Sequence, residues 1–476
     1  MASLRASAPL LDAYLQYLES ERLPFTIPGH KQRTSMLDPD LGAVVDSDVP
    51  LYGGLDEIKL TNQTLARAES LAADLWGANW ARFSTGGSTH ANQAVILALG
   101  KPGDRVAITR TAHRSVLSAL VLAGLEPLWM SPTIDDATGV PTGIPLSELE
   151  RVLPESPIAV LLTEPGYLGT ISDLPGLIAK AHANKIPVVI DAAWGGHFGF
   201  NSRLPKHVME LGADALITSV HKALPGYSAS ALLLARTNLL DRARLEQGFE
   251  TTHTTSPAGA PLASIDGVRA LLETRGTELL GALIDAVSEF KREVQAQFNI
   301  PIFLNETDFQ SERFDPCKIV LRANQLGASG VDIERKLQEK NIRVEMADRD
   351  TIVFLATLVD TDQTLRELAA HLIPILRDVQ SAPRESATAL SWAVKPLRGS
   401  SMRDAYFAAT EMVLAVDAIG KISADLVAPY PPGVAVLAPG EIITSEIVEG
   451  LASAKRAGVR IAYATDATLE TYRVVK

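Results

Sequence analysis

Hydrophobic spacing divides the chain into recognisable elements. QTLARAESLAADLW (63–76) repeats its leucines and alanines at helical spacing. A short polar gap follows, and TGGSTHANQAVILALG (85–100) starts a second helix with its glycines and hydroxyls at the N-terminal end. Helical and strand-like runs then alternate. RVAIT (105–109), EPLWM (126–130), IAVLLT (158–163), IPVVIDA (186–192), DALITSV (214–220) and SALLLA (230–235) are short and β-rich. HRSVLSALVLAG (113–124) and LPGLIAKAHANK (174–185) lie between them with helical periodicity, the first ending at a glycine. Strand–helix alternation with continuously apolar strands predicts a mainly parallel sheet covered on both faces. Ligands of such sheets bind beyond the carboxyl ends of the strands. That rule gathers Glu164, Asp191 and the segment from Ser219 to Lys222 at one edge.

A long helical stretch near 258–294 leaves this region. A smaller α/β unit follows, with strands in CKIVLRA, RVEMA and TIVFLAT and helices in GVDIERKLQEKN and QTLRELAAHLIPILRDV. Residues 381–400 read as a linker, and 401–476 as a third unit. The expected division is an N-terminal arm over 1–60, a large domain over 61–290, a small α/β domain over 291–380 and a C-terminal domain over 381–476.

Composition narrows the function classes. A chain of 476 residues with a net charge of −12 repels phosphate backbones, so nucleic acid is not expected as a partner. One cysteine, Cys317, excludes an internal disulfide and a multi-cysteine zinc cluster. The scattered histidines lack metal-ligand spacing, and no metal is expected. The N-terminal MASLRASAPLLDAYLQYLES has helical polar–apolar spacing without a continuous apolar core. No signal peptide or membrane span is therefore expected, and a cytoplasmic location follows.

The chemistry centres on SVHKALPGYSAS (219–230), where Lys222 follows a buried strand. A lysine there either extends its stem to the surface or serves as a carbonyl-capturing nucleophile. The common carbonyl partner is pyridoxal 5′-phosphate (PLP), which makes three further demands. Its ring nitrogen requires a carboxylate, and Asp191 ends a strand, where a turn or helix cap also explains an aspartate. Its phosphate requires hydroxyls at a helix start, and Ser88, Thr89 and Ser219 qualify. Its ring requires a flat group, and His113 opens a helix, where it also serves as a cap. The four signals are individually weak, but each falls in the right order at a strand end.

FSTGGSTHANQ, RTAHRSV, TEPGYLGTISDLPGLIAKAH, VVIDAAWGGHFGF and SVHKALPG, taken together, resemble the Orn/Lys/Arg decarboxylases. PFTIPGHKQ, THTTSPAGAPLASIDGVRAL and PYPPGVAVLAPGE extend the resemblance over nearly the whole chain. It implies a PLP enzyme of the aspartate aminotransferase fold (fold type I) with a mainly parallel sheet in its large domain. By the same resemblance Lys222 holds PLP as an internal aldimine, His221 lies near the reacting carbon, Asp191 meets the ring nitrogen and His113 stacks on the ring. Ser88, Thr89 and Ser219 bind the phosphate, and Trp194 stands where many members carry histidine and some tryptophan. Thr254, Thr255 and Ser256 resemble a segment reaching the cofactor from a partner subunit, which implies at least a homodimer. Tyr430 resembles a residue that approaches the substrate.

Ala192 and Ala229 depart from the residues common in the family, a difference that bears on substrate fit. The sequence carries no receiver-like N-terminal domain and resembles the short forms, so large decamers are not implied. The expected activity is decarboxylation of a basic L-amino acid, arginine first, with lysine and ornithine open, feeding polyamine metabolism. The alternatives are another reaction on this fold, such as transamination or aldol cleavage, or a PLP-binding homologue without activity. His30 and Lys31 lie either near the active site of a dimer or in an ordered turn, and His197 reads as a packed or hydrogen-bonded histidine near Asp191.

Overall fold

A computed structural model describes all residues except 1–2, 21–22, 24, 52–54, 56–62, 136–137, 310–312, 387–394, 431–432 and 457. Parts of the expected arm and linker, and Pro431 and Pro432 of PYPPG, lie outside the described residues.

Seven strands form the central sheet: β1 (Trp80–Ser84), β2 (Arg105–Thr109), β3 (Glu126–Met130), β4 (Val160–Thr163), β5 (Val188–Asp191), β6 (Ala215–Ser219) and β7 (Ala231–Ala235). Their order is β1-β7-β6-β5-β4-β2-β3. The pairs among β2 to β6 are parallel, whereas β7 runs antiparallel to both β6 and β1. Hydrophobic periodicity does not single out β1, which the sequence reading treats as part of a polar gap. The reason is Arg82 at its centre. An edge strand keeps such a side chain partly in water, and here the guanidinium also meets Glu69 at 2.9 Å.

The pleat sends alternate residues to opposite cores. Val188, Ile190, Leu216 and Leu232 face one cluster, while Val189, Ile217 and Leu233 face the other. The second cluster is closed by the helices Gly87–Leu99 and Arg114–Ala123. This two-sided burial explains why the inner strands lack polar alternation.

The long helix spans Gly259–Gln295 and holds the N-terminal helix Pro9–Glu19 by a buried charge pair. Asp266 accepts the Leu10 N–H at 2.8 Å and pairs with Arg269 at 2.7 Å. Beyond it, β8 (Ile319–Arg322), β9 (Met346–Ala347) and β10 (Thr351–Phe354) form an antiparallel sheet in the order β8-β10-β9. The start of the expected linker is pinned rather than free. Arg384 bonds Asp350 at 2.5 Å and the carbonyls of Ala328 and Arg349 at 2.6 and 2.7 Å.

The C-terminal segment contains the antiparallel pairs Thr410–Leu414 with Thr471–Val475 and Ala428–Tyr430 with Arg460–Ala462. A buried fork ties it to the central sheet. Arg110, just past β2, contacts both Glu441 oxygens at 2.6 and 3.0 Å and the Val436 carbonyl at 2.8 Å. No helix among the described residues is long and apolar enough to cross a membrane.

Candidate active site

Because β4, β5 and β6 run parallel, their carboxyl ends open on one edge. Glu164 follows β4, Asp191 ends β5 and Ser219 ends β6, with the Glu164 N–H on the Asp191 carbonyl at 3.0 Å. Lys222 lies three residues past Ser219. Its Nζ sits 4.5 Å from the centre of the Trp194 ring. Burial lowers its pKa from the usual lysine value, while Asp191 and Glu345 pull it back up. No carboxylate forms an ion pair with it among the described residues. The structure therefore holds a desolvated amine in a partly apolar recess.

Asp191 is buried and fixed at both oxygens. One accepts from Asn92 Nδ2 at 2.8 Å, and the other from the Ala193 N–H at 3.1 Å. Asn92 also reaches Ser115 Oγ at 3.1 Å, and that hydroxyl lies 2.8 Å from His113 Nδ1. The Ser115 N–H donates to the same nitrogen at 3.2 Å, so Nδ1 is an acceptor and the neutral ring carries its proton on Nε2. Burial and the nearby Lys222 lower the His113 pKa against the opposing pull of Asp191, which favours that neutral ring. His113 is thus the N-cap of its helix and, through Ser115 and Asn92, part of the Asp191 network.

The phosphate candidates converge in part. Ser88 Oγ and Ser219 Oγ lie 2.7 Å apart, joining the first turn of the Gly87–Leu99 helix to the end of β6. Thr89 is exposed on the same turn. Gly87 has φ of +68° and gives its N–H to the Ala229 carbonyl at 2.7 Å. Ala229 is itself in the left-handed region, at φ +63°. The departure at 229 thus anchors the helix start by backbone. Ala192 is buried, and its carbonyl accepts the Thr218 hydroxyl at 3.0 Å. His221 Nδ1 donates to the Ser230 carbonyl at 2.9 Å, which leaves Nε2 as its acceptor nitrogen.

Other candidates lie further out. Thr255 and Ser256 are exposed past the helix Arg242–Thr252. Tyr430 is exposed beside Gly433. His197 does not bond Asp191. Its Nε2 meets Asp315 at 3.1 Å, with Cys317 adjacent. These three residues hold ligand-type atoms within 4.8 Å of one another, yet the histidine–aspartate bond and the Cys317 N–H on Asp315 account for the cluster. His30 contacts Asp48 at 3.1 Å within an ordered turn, as expected of that segment.

Several residues escape hydrophobic spacing. Asn92 sits one helical turn beyond Ser88, a spacing visible in GGSTHAN but not decisive there. Tyr167 of TEPGYLG is buried with its hydroxyl unpartnered among the described residues, and it packs with Trp194 and Val434. Burial raises its pKa, and Asp191, Tyr463 and Tyr430 add to the rise. It also lines a cavity of about 360 Å³ together with Glu164, Met346 and Asp348. Glu164 is buried under two hydrogen bonds from Ser172, and burial pushes its carboxyl up to about 7 against them. Lys318, whose Nζ lies 4.2 Å from the centre of the Trp194 ring, adjoins an apolar run as Lys222 does, but its nearness to Trp194 has no local sequence signal.

Comparison with known proteins identifies the family. Residues 8–364 match the Orn/Lys/Arg decarboxylase major domain, and residues 393–460 match the C-terminal domain of the same family. The chain belongs to the Orn/Lys/Arg decarboxylase family. Membership makes it a decarboxylase, a carboxy-lyase. It is 31% identical to an arginine decarboxylase of Bacillus subtilis (strain 168) over 480 residues, covering 98% of each chain. An arginine decarboxylase of Halalkalibacterium halodurans is 30% identical over 486 residues, covering 100% of this chain and 99% of the relative. Among solved structures, the Francisella novicida lysine decarboxylase LdcF superposes with a TM-score of 0.82 at 19% identity, covering 98% of this chain and 81% of that one. Sphingomonas wittichii serine palmitoyltransferase superposes at 0.57 and 13% identity, covering 79% and 85%. The fold is thus the type I fold of PLP-dependent enzymes, with a large, mainly parallel sheet.

Proposed function

We propose that the protein is a PLP-dependent decarboxylase of a basic L-amino acid, with arginine as the first candidate and lysine and ornithine next. The observation that carries the reading is a desolvated Lys222 amine beside a buried, doubly hydrogen-bonded Asp191 at one edge of the sheet. The residues fit the cofactor. Lys222 supplies the amine, Asp191 the carboxylate for the ring nitrogen and His113 a neutral flat ring. Ser88, Thr89 and Ser219 supply hydroxyls at a helix start for the phosphate. When bound, PLP supplies an electron sink for the pair of electrons left when CO₂ departs.

The protein's own groups do the rest. Asn92 and the Ala193 N–H keep the Asp191 carboxylate oriented, so that it holds a proton at the pyridine nitrogen. The buried Tyr167–Trp194–Val434 cluster keeps bulk water from Lys222. His221, after Nε2 has taken up a proton, or the Lys222 Nζ in its ammonium form would return that proton to the carbon that lost the carboxylate. Thr255 and Ser256 contribute from a partner subunit in a homodimer, and Tyr430 approaches the substrate. The product amine then serves polyamine metabolism. In domain terms, an arm over 1–60 precedes the large domain over 61–290, the small domain over 291–380 and the C-terminal domain over 381–476.

Borohydride reduction followed by peptide mapping tests the attachment. A pyridoxyl group on Lys222 is expected, and its absence from that peptide refutes the reading. A panel of arginine, lysine and ornithine with mass detection of amines identifies the substrate. Amine without loss of CO₂ would point to a different reaction.

A further inference from the structure

The cavity beside Tyr167 is closed by three distant stretches of chain. The segment after β4 brings Glu164 and Tyr167, and the turn between β9 and β10 brings Asp348. The helix Ser445–Arg456 brings Gly450, Ser453 and Ala454, which share one helical face and whose small side chains leave the space open. Its volume of about 360 Å³ is that of a small-molecule site, and Val140, Leu168 and Val353 give it apolar walls. Two carboxyl groups on those walls lack a cation. Glu164 accepts from the Ser172 N–H and hydroxyl. Asp348 takes the Asp350 and Thr351 N–H groups at 2.7 and 2.6 Å on a single oxygen. Neither carboxyl forms an ion pair among the described residues. The two arginines of the cavity are already matched by acids. Arg349 lies 3.6 Å from Asp350, which also holds Arg384, and Arg322 faces Asp308 and Asp135. The Tyr167 hydroxyl has no partner among the described residues.

We propose that this cavity binds the cationic end of an alkylguanidine or alkylamine, with Asp348 as its carboxylate partner. A carboxylate in an apolar recess without a counter-ion is costly, and an entering cation supplies one. A guanidinium carries five N–H donors, enough to serve Asp348 and the Tyr167 hydroxyl together, while the apolar walls take the alkyl stem. The choice of ligand rests on the reading of the protein as a basic amino-acid decarboxylase, which takes up one such cation as substrate and releases another as product. The cavity adjoins the site of that reaction. Met346 packs against the Tyr167–Trp194 cluster, and the Trp194 ring centre stands 4.5 Å from Lys222 Nζ. Asp348 follows Met346 by two residues, about 6–7 Å farther along the same strand face, a distance that an arginine or lysine side chain spans. The bound cation is therefore either the far end of the substrate or a free product amine held beside it.

Calorimetry on borohydride-reduced holoenzyme, which cannot turn over, tests the cavity. The probes are agmatine, cadaverine and putrescine, the amines that arginine, lysine and ornithine yield on loss of CO₂. Saturable binding of at least one is expected, and binding of none overturns the proposal. Asp348→Asn keeps an oxygen for the two turn N–H groups but removes the charge, and should weaken that binding at least about tenfold. Unchanged affinity in the folded variant overturns the proposal. If Asp348→Asn does not fold, Ala454→Leu takes its place by filling the space from the helix, and unchanged affinity there overturns the proposal equally. Steady-state kinetics of Asp348→Asn separates the two sources of the cation. A rise in KM for the parent amino acid that matches the loss of amine affinity places the substrate's own side chain in the cavity. An unmoved KM, with inhibition by the amine that excess substrate does not relieve, places a free amine there. The amine panel and the mapping of Lys222 test the decarboxylase reading separately, since the calorimetry needs no turnover.

Discussion

Two buried charged regions of this protein are built on opposite plans. Arg110 and Glu441 meet as a two-pronged fork, with a backbone carbonyl taking a further donor. Arg269 pairs with Asp266 and Glu273 and also reaches the Ser7 carbonyl, while Asp266 accepts the Leu10 N–H of the N-terminal helix. At the sheet edge, the half-buried Lys222 and the buried Lys318 share one indole, with no ion-paired carboxylate among the described residues. The first plan pairs each buried carboxylate with a guanidinium and so fastens one chain segment to another. The second leaves an amine short of partners, and that is the condition under which it reacts. Buried charge therefore reads as architecture where it is paired and as chemistry where it is not.

Four experiments press on that contrast. Lys222→Ala should abolish amine formation, by at least about 10⁴-fold, while circular dichroism shows an unchanged fold. A folded variant that retains turnover would place the nucleophile elsewhere. Arg110→Ala strands Glu441 in the interior and should cost about 3–5 kcal/mol in urea unfolding, whereas replacing both partners with methionine should recover most of it. Equal losses in the single and double variants would show that the fork is not what holds the C-terminal segment. Asp191→Asn should reduce kcat by about 10²–10³ with little change in stability, as expected for lost electrostatic stabilisation.

The smallest effect concerns Glu164, whose carboxyl is raised to about 7 by burial. Between the unfolded value near 4.3 and pH 7, the unfolded chain has lost a proton that the folded chain keeps. Glu164 therefore makes stability fall as pH rises through that window. Glu164→Gln lacks the titration, so the difference in Tm should move in favour of the variant from pH 5 to pH 7. A constant difference would mean that the group is already ionised.

Much of the site is legible in the chain because covalent neighbours carry it. Lys222 and His221 adjoin a strand end, Asp191 closes an apolar run, and Ser88 opens a helix. Parallel pairing of β4, β5 and β6 then places those ends together. What stays hidden depends on separation. Asn92 reaches Asp191 across 99 positions of sequence. Lys318 comes to Trp194 from another unit, and Tyr167 acquires its role by packing against Val434 of the C-terminal segment.

The sequence by itself determined most of the elements, the family and which candidate residues stand at strand ends, because each is written in local periodicity and contiguous motifs. The tertiary structure alone decided that β1 is an edge strand, that Arg384 pins the supposed linker and that two lysines share one indole. Those outcomes depend on which distant groups lose their water together. Burial of that kind is set by the packing of the whole chain and by no stretch of it alone.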